Sequence, residues 1–507
     1  MSGLQPLEPH ALAYLILSRP VPAASHRLPR STLPTAGGLR IRAVVGALKT
    51  PEVPLVSHAR TSDRRTFIKS SALAAGALSL PRSARAGGGK SASPKINVAV
   101  VGAGGMGRYA VERAATENFV AICDVDDQRA CKTYQEHPQV PRFKDFRVML
   151  DKLHKQIDAV AISTPDHTHF AIAMAAMELG KHVFVQKPLA HNVWQVRTLQ
   201  KAARRYGVVT QMGNQGHTFE GMRRIKEWVD AGVVGEVREV VTWTNRPNTP
   251  WFVPPESFPP PTDCAPSDLD WDLWQGPVAA REYSAAYVPV RWRGWWDYGC
   301  GSLGDIGCHT FDAPFWALEL GSPTRVEAFR EPPPGEGFVP MNSVVTYQFP
   351  ARGARPPVTL RWYEKGFEAP KPRRWDPAQP LAEEGGMYME GSKETLYHAG
   401  MRPESPMLTP ASRFMELKGE LRRIEKLPPV GDGPIEEWLR AIKGDGPAPG
   451  SSFDYAAPLT ELVLLGALAQ RTGRPIEWNA EAMRVEGQPE LDPLLKEPAR
   501  EGWRYGE

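Results

Sequence analysis

The chain lacks the marks of disulfide-bonded and membrane-spanning proteins. Its 507 residues include only five cysteines, an odd number with no Cys-x-x-Cys spacing, which argues against a disulfide framework and a structural zinc site. No run of eighteen or more apolar residues is present, so the sequence predicts no transmembrane helix.

Basic charge is also scarce outside the N-terminal segment. Residues 1–86 hold 12 Lys and Arg against 3 Asp and Glu, a net charge of +9, which leaves −5 for residues 87–507 out of a total of +4. A mildly acidic body lacks the basic surface by which proteins bind nucleic acid. We therefore expect no nucleic-acid partner.

The basic N-terminal segment contains a candidate export signal. Arg64 and Arg65 form a twin arginine, followed by an apolar stretch over residues 70–80 and an Ala-x-Ala cleavage site at residues 84–86. The stretch is too short to cross a bilayer, and this order is typical of twin-arginine signals. The sequence predicts a signal peptide over residues 63–86 and a bacterial protein exported by the twin-arginine machinery to the periplasm or another extracytoplasmic space.

The predicted signal begins unusually far along the chain. Residues 1–62 are rich in Pro, Arg and Ala without sustained periodicity, and no methionine lies between Met1 and Met106. We expect this segment to be a disordered extension or the result of a mis-assigned start, with translation beginning at a non-AUG codon. Residues 87–94 would link the signal to the folded chain.

Residues 95–215 alternate between strand and helix patterns with short connections. Such alternation predicts an α/β fold with a doubly wound parallel sheet and right-handed crossovers. Ligands bind such sheets beyond the carboxyl ends of the strands. The predicted strands are 96–101, 119–124, 157–162, 182–186 and 208–212, and the predicted helices are 105–117, 126–134, 145–154, 167–180 and 192–206.

The first predicted strand leads into a glycine-rich turn. Gly102, Gly104 and Gly107 fit Gly-x-Gly-x-x-Gly, in which the glycines permit a tight turn, approach of a pyrophosphate and close packing of helix on strand. About twenty residues further on, Asp124 ends the second apolar run, where a carboxylate can bind a ribose 2′-hydroxyl and repel a 2′-phosphate. Together these features predict an NAD site and favour NAD over NADP.

Two further loops at predicted strand ends carry reactive groups. Residues 163–169 read Ser-Thr-Pro-Asp-His-Thr-His, and Lys187 lies between an apolar strand and a proline. An ammonium at this edge of the sheet can reach a reacting centre, although a solvated loop lysine would give the same pattern. His167 and His169 have no carboxylate or thiolate at ligand spacing, so we expect no metal site.

Aromatic residues concentrate in the second half of the chain. All fifteen tryptophans lie at or beyond Trp194, and eight of them lie in residues 243–316. Trp292 and Trp296 flank a segment that includes Arg293, and aromatic faces beside charged donors suit a sugar. Ordinary core aromatics would give the same pattern.

A glycine-rich segment, residues 301–312, holds a second group of reactive side chains. If a helix begins near Gly304, then Asp305, His309 and Asp312 share one face. A carboxylate beside an imidazole forms a general-base arrangement, in which the acid holds the ring and supports its positive charge. A capping aspartate and a core histidine would show the same spacing.

These motifs resemble those of the glucose–fructose oxidoreductase / inositol dehydrogenase (Gfo/Idh/MocA) family, especially its exported, twin-arginine members. The resemblance implies an N-terminal Rossmann domain over residues 95–215 and a C-terminal α/β domain over residues 216–507, built on a large, mainly antiparallel sheet for substrate binding and oligomerisation. It also implies a homo-oligomer, either a dimer or a tetramer. The motifs that carry it are residues 98–107, 164–169, 186–188, 292–296, 304–309 and 471–478.

The resemblance also implies roles for single residues. Lys187 matches the lysine of the family's Glu-Lys-Pro motif, although Gln186 replaces the glutamate and so removes a carboxylate beside the lysine. In the implied mechanism, His309 takes the hydroxyl proton, Lys187 stabilises the oxygen, and Asp305 orients the histidine or the neighbouring hydroxyl. The implied NAD contacts are Gly102, Gly104, Gly105, Met106, Gly107, Asp124, Thr164, Pro165, His169, Lys187 and Asn214, and the implied substrate contacts are Trp292, Arg293, Trp296 and Asp312.

Three functions are compatible with these features. The first is an NAD-dependent oxidoreductase acting on a hydroxyl of a sugar, polyol or glycoside. The second is a redox-neutral glycoside hydrolase or lyase that retains tightly bound NAD, and export favours it because free NAD is scarce outside the cytoplasm. The third is a non-catalytic nucleotide-binding sensor, against which the combination of Lys187, Asp305 and His309 argues.

Overall fold

The computed structural model describes residues 94–364 and 366–506. The extension predicted for residues 1–62, the signal predicted for residues 63–86 and nearly all of the linker predicted for residues 87–94 lie outside the described residues. The first half of the described chain contains strands β1 Asn97–Val101, β2 Asn118–Cys123, β3 Arg142–Phe143, β4 Ala159–Ile162, β5 His182–Val185 and β6 Thr210–Met212, and helices α1 Gly107–Ala114, α2 Asp127–Glu136, α3 Phe146–Leu153, α4 Asp166–Glu178 and α5 Val193–Tyr206.

The remainder of the described chain forms a second sheet and further helices. Its strands are β7 Val237–Thr244, β8 Arg325–Arg330, β9 Ser343–Phe349, β10 Val358–Glu364, β11 Gly385–Gly391, β12 Thr395–Ala399, β13 Met407–Thr409, β14 Ile476–Asn479 and β15 Arg484–Val485. Its helices are α6 Glu220–Asp230, α7 Trp271–Gln275, α8 Gly301–Thr310, α9 Asp312–Ala317, α10 Ala411–Leu421, α11 Pro434–Lys443, α12 Phe453–Thr472 and α13 Asp492–Leu495. Short 3-10 helices lie at His154–Gln156, Gln215–Thr218, Arg246–Asn248, Pro250–Phe252, Arg291–Gly294 and Pro489–Leu491.

The first sheet confirms the predicted doubly wound fold. Its strand order is β3-β2-β1-β4-β5-β6, and its strand pairs are parallel. All predicted strands and helices of this region are present. Only β3 was not predicted, because two residues are too short to show a periodic pattern.

Polar caps explain where several helices of this sheet begin. The side chain of Asp126 accepts a hydrogen bond from the amide of Arg129 at the start of α2. Asn192 caps the start of α5 in the same way. These side chains satisfy amides that have no partner within the helix.

The second sheet is mixed and mostly antiparallel, as the resemblance implies. Its order is β13-β12-β11-β7-β10-β9-β8-β14-β15; β7 and β10 are parallel, and the other pairs are antiparallel. Alternate residues of β9 and β10 are buried, so one face is covered and the other is partly open, as expected for a period of two.

Two late helices pack against the first sheet. Helix α11 places Trp438 against Phe184 of β5, with ring centroids 6.0 Å apart, and the long helix α12 contacts α5 and β6 as well as α8, β8 and β9 of the other half. The described chain thus brings residues 434–472 back to the N-terminal sheet. The domain boundary between residues 215 and 216 stays a prediction. Within residues 94–364 and 366–506, no helix has both the length and the apolar character needed to cross a membrane.

Candidate active site

The predicted catalytic residues meet between the two sheets. Lys187 lies two residues beyond the carboxyl end of β5, and Asp305 and His309 lie one turn apart on α8. Helix α8 begins at Gly301, three residues earlier than expected. A Cβ on Gly307 would lie 2.9 Å from Val463 of α12, so this glycine lets α8 pack closely against α12.

Asp305 lies among three basic side chains. Its Oδ1 accepts a hydrogen bond from Lys187 Nζ at 2.6 Å, and its Oδ2 accepts one from Arg246 Nε at 2.7 Å. Arg293 Nε lies 3.2 Å from Oδ1. Although burial alone would raise the pKa of Asp305, these three cations hold it well below its usual range, so the carboxyl group is ionised.

The role expected for Asp305, orienting His309 or the neighbouring hydroxyl, stays a prediction. Its carboxylate binds Lys187 and the arginines, and among the described residues it donates or accepts no hydrogen bond with His309. Spacing on a helix places Asp305 and His309 on one face, where the negative charge of Asp305 raises the pKa of His309 without a hydrogen bond between them. Asp305 also supplies Lys187 with the carboxylate that Gln186 does not provide.

His309 is suited to act as a proton acceptor. Its side chain is 3% exposed, and burial lowers its pKa well below the usual value, helped by the positive charges of Lys187 and Arg402. The imidazole is therefore neutral at physiological pH. Its buried Nδ1 has no hydrogen-bond partner, so protein groups do not fix the ring through that atom.

Sequence reasoning missed two of the basic residues at this site. Arg246 lies on the 3-10 helix that follows β7, and Arg402 lies in the loop before β13. Neither segment shows a periodic pattern that would mark a site. We refer to Lys187, Arg246, Arg293 and Arg402 as the cationic cluster.

Tryptophans support the arginines of this cluster. The guanidinium carbon of Arg246 lies 3.5 Å from the ring centroid of Trp251, and that of Arg293 lies 4.8 Å from it. Arg293 also lies 4.1 Å from the ring centroid of Trp292. Trp292, expected as a substrate contact, is thus placed where it supports Arg293, while Arg293 itself borders the site.

The glycine-rich turn has the shape required by a dinucleotide. Gly102 has φ +80°, and a Cβ there would lie 2.7 Å from the carbonyl oxygen of Ser163. A Cβ on Gly104 would lie 2.7 Å from the carbonyl oxygen of Arg129. Gly105 also has a positive φ, and Gly107 begins α1, whose dipole favours an anion at this end. Larger residues at Gly102 and Gly104 would collide with these backbone atoms and distort the turn.

Asp124 braces the same turn from the end of β2. Its Oδ2 accepts hydrogen bonds from the amides of Ala103 at 2.8 Å and Gly104 at 3.2 Å, and its Oδ1 accepts one from Asp126. Burial raises the pKa of this carboxyl. The ribose contact of Asp124 stays a prediction, as does the NAD contact of Met106, which is 55% exposed at the start of α1.

The loop after β4 is fixed by two buried histidines. The ring nitrogens of His169 lie 2.9 Å from the carbonyl oxygen of Pro188 and 2.8 Å from that of Thr164, and burial lowers its pKa to about 4. Because the neutral ring has one N–H, it donates to only one of these carbonyl oxygens, and the expected NAD contact of His169 stays a prediction. His169 positions Thr164 and Pro165 beside the glycine-rich turn, while His167 bonds other carbonyls.

Asp312 is buried in a network and does not face the site as a substrate contact would. It is 1% exposed and accepts hydrogen bonds from Asn214 Nδ2 at 2.8 Å and Tyr455 OH at 2.5 Å. His217 Nδ1 lies 3.0 Å from it. The side-chain nitrogen of Asn214 donates its hydrogen bond to Asp312. Its buried Oδ1 has no partner and can accept a hydrogen bond from the carboxamide of NAD.

Trp296 lines a different cavity, together with His191, Cys300 and Arg471. It is 8% exposed, and its expected substrate contact stays a prediction. In the described part of the chain, no group of three or more His, Cys, Asp or Glu side chains is arranged to hold a metal ion.

Two family models match the described chain. The model described as an oxidoreductase family with an NAD-binding Rossmann fold matches residues 96–214. The model described as the C-terminal alpha/beta domain of an oxidoreductase family matches residues 220–333. These matches cover Lys187, Asp305 and His309, whereas His217, Arg402 and Tyr455 lie outside them.

Two curated relatives each match less than a third of the chain. A levoglucosan dehydrogenase of Pseudarthrobacter phenanthrenivorans is 25% identical over 171 residues, which cover 31% of this chain and 43% of that protein. An inositol 2-dehydrogenase/D-chiro-inositol 3-dehydrogenase of Lacticaseibacillus casei is 28% identical over 146 residues, covering 28% of this chain and 42% of that protein. The matched part of the chain spans less than half the length of these curated relatives.

A solved structure shows the same fold across both halves. The WlbA dehydrogenase of Bordetella pertussis, solved with NADH and UDP-GlcNAcA, superposes with a TM-score of 0.52 at 18% identity, covering 76% of this chain and 99% of that one. At this level of identity the likeness concerns the fold alone.

Proposed function

Because the chain belongs to the Gfo/Idh/MocA oxidoreductase family, we propose that it oxidises a hydroxyl group of a sugar, polyol or glycoside with NAD. The observation that carries the proposal is the meeting of Lys187, Asp305 and His309 at the carboxyl edge of the Rossmann sheet. A cofactor cradle, a neutral base and an ammonium therefore adjoin one site. NAD, when bound, accepts the hydride.

The chain's own residues account for the proton and the charge. His309 is neutral and buried, so it can accept the hydroxyl proton as the C–H bond is broken. Lys187 Nζ donates two hydrogen bonds to Asp305, through Oδ1 and the carbonyl oxygen, which leaves its third N–H for the substrate oxygen. Asp305 thus holds the Lys187 ammonium beside the substrate oxygen on which negative charge develops. A cation that is already in position stabilises this charge electrostatically.

The buried tetrad of Asn214, Asp312, His217 and Tyr455 would hold the nicotinamide end of the cofactor. Asn214 Oδ1 would accept a hydrogen bond from it, and the other three side chains fix the orientation of that amide. Gly102, Gly104 and Gly107 would hold the pyrophosphate end, so that the cofactor lies along the carboxyl edge of the sheet.

A second candidate function retains the same chemistry but keeps NAD bound. Oxidation at one sugar carbon acidifies the neighbouring C–H, elimination breaks a glycosidic bond, and the hydride returns. The twin-arginine signal predicted at residues 63–86 favours it, because an exported enzyme with captive NAD needs no external supply.

The NAD content of the purified protein separates the candidates. The protein is desalted and denatured, and released NAD is quantified by mass spectrometry. About one NAD per chain favours the redox-neutral enzyme, and an empty protein that reduces added NAD with sugars favours the dehydrogenase. Absence of both NAD and NAD affinity would refute both.

His309→Asn tests the catalytic assignment directly. We expect turnover to fall by about 10²- to 10⁴-fold, while NADH affinity measured by calorimetry is retained. His154→Asn, at a histidine outside the site, serves as the matched control. Unchanged turnover in His309→Asn would contradict the assigned role.

We also propose export by the twin-arginine route and assembly into a homo-oligomer. The twin arginine Arg64-Arg65 and the cleavage site at residues 84–86 support export, and the resemblance supports assembly. Replacing both arginines by lysine should retain the protein in the cytoplasm, and sequencing of the mature N-terminus should begin at Gly87. Light scattering measures the assembly state, and a monomer would refute the second part.

A further inference from the structure

The candidate active site holds more positive charge than its carboxylates neutralise. The cationic cluster supplies four cations, whereas three carboxylates interact with it, those of Asp305, the buried Asp166 and Glu404. Like charges in a weakly polar interior repel one another strongly. A site of this kind is suited to receive a further anion.

The geometry points to a substrate that carries an oxyanion, a carboxylate or a phosphate, near the hydroxyl group that is oxidised. This inference rests on the proposed function and names its substrate class as an anionic carbohydrate. It is carried by the unused donors of the cluster, by their fixed positions and by their separation from the NAD cradle.

Most guanidinium donors of two arginines have no acceptor among the described residues. Arg246 donates through Nε to Asp305, and Arg402 donates only a long bond of 3.4 Å from Nη2 to Gln215. The buried Nε of Arg402 has no partner. A guanidinium offers five N–H donors in a planar fork that matches a carboxylate or phosphate, so both arginines can still bind an oxyanion.

The arginines are held in place and are not free surface side chains. The side chains of Arg246 and Arg293 are only 17% and 15% exposed, and both pack against Trp251. Arg402 interacts electrostatically with Arg246, and burial lowers the pKa of Arg402. An anion that binds here would relieve the repulsion between fixed guanidinium groups, and little side-chain entropy would be lost.

The phosphates of NAD do not account for these cations. The pyrophosphate cradle lies at residues 102–107, at the carboxyl end of β1, whereas Lys187 follows β5 at the other side of the sheet centre. Arg246 and Arg293 lie on short 3-10 helices and Arg402 lies in a loop, all in the C-terminal half. Their positive charge therefore faces the substrate region around Asp305 and His309.

An anionic substrate would also improve the base. The positive charges of Lys187 and Arg402 lower the pKa of His309, which weakens it as a proton acceptor. An oxyanion beside Arg402 offsets this charge, so the ring becomes more basic when the correct substrate is bound. Recognition and proton removal are then coupled.

Steady-state kinetics test the inference. We compare kcat/KM for NAD reduction with D-glucuronate, D-glucose 6-phosphate and neutral D-glucose, and the first two distinguish a carboxylate from a phosphate. At least one anionic sugar should exceed glucose by tenfold or more. Arg402→Gln should lower this preference by about 10- to 100-fold, Arg402→Lys should restore part of it, and Arg423→Gln, at an exposed arginine, should leave it unchanged.

Calorimetry on NADH-loaded protein separates failure of this inference from failure of the proposed function. With the pyrophosphate cradle filled, D-glucuronate or inorganic phosphate should bind wild type and bind Arg402→Gln more weakly. Such binding without turnover of any sugar would leave the inference standing and remove the oxidoreductase proposal. Equal turnover of neutral and anionic sugars, or no binding of either anion, would overturn the inference.

Discussion

Replacing Asp305 by asparagine should expose the electrostatic cost of the cationic cluster. Its carboxylate is 5% exposed, and its partners Lys187, Arg246 and Arg293 are 14%, 17% and 15% exposed. Removing one member of a buried ion pair costs about 3–5 kcal/mol. Because each cation retains some contact with water, we expect the lower end of this range, about 3 kcal/mol of unfolding free energy.

The pH dependence of this loss follows from the pKa of Asp305. Its folded-state pKa lies well below the usual value, so its stabilising contribution is present above the unfolded pKa of about 4 and is lost as pH falls through the folded pKa. The difference between wild type and Asp305→Asn should therefore be constant from about pH 5 to pH 8 and shrink in stronger acid.

Urea unfolding followed by tryptophan fluorescence measures this difference. Asp454→Asn is the matched control, because Asp454 pairs with Arg204 at 2.6 Å but both side chains are more than half exposed. We expect this control to lose at most about 1 kcal/mol. Equal losses in the two variants, or a gain in Asp305→Asn, would refute the view that this carboxylate holds the cluster together.

Three further substitutions test other parts of the site. Burial raises the pKa of Asp166 to about 6, so the folded state holds this proton more tightly than the unfolded chain does. Relative to wild type, Asp166→Asn should therefore become increasingly stabilising as the pH rises from about 4 to about 6. Equal shifts in melting temperature at pH 4 and pH 6 would contradict this. Tyr455→Phe removes a hydrogen bond to buried Asp312 and should cost about 1–3 kcal/mol and weaken NADH binding in calorimetry. Unaltered NADH affinity would argue against its positioning of Asn214. Gly104→Ala places a methyl group 2.7 Å from the carbonyl oxygen of Arg129, so the turn must shift, and NADH affinity in calorimetry should fall; unchanged affinity would contradict the assigned cradle.

Local patterns in the sequence predict the first sheet and part of the site. Alternating apolar runs and helical patterns identify the Rossmann elements, and the spacing of Asp305 and His309 places them on one helix face. The partners of Asp305 were not predictable, because Lys187 and Arg246 are 118 and 59 residues away along the chain. Which neighbour a carboxylate binds depends on such tertiary contacts, and local periodicity carries no information about them.

Buried polar networks also limit what the sequence predicts about Asp312 and His169. Asp312 has the spacing of a site residue, yet Tyr455 and Asn214 occupy its oxygens. His169 lies in a motif that implies cofactor contact, yet its ring nitrogens lie 2.9 Å and 2.8 Å from the carbonyl oxygens of Pro188 and Thr164. In both cases the residue shapes the site through a neighbour.

The return of residues 434–472 to the N-terminal sheet has a consequence for biosynthesis. Helix α11 covers one face of that sheet through Ile435, Trp438 and Leu439, and the amide of Met212 in β6 donates a hydrogen bond to Ser451. A growing chain therefore cannot complete its nucleotide-binding half until nearly all of it has left the ribosome. Until then the apolar face is open to chaperones or to aggregation, and premature termination before residue 434 would yield a chain with an uncovered sheet.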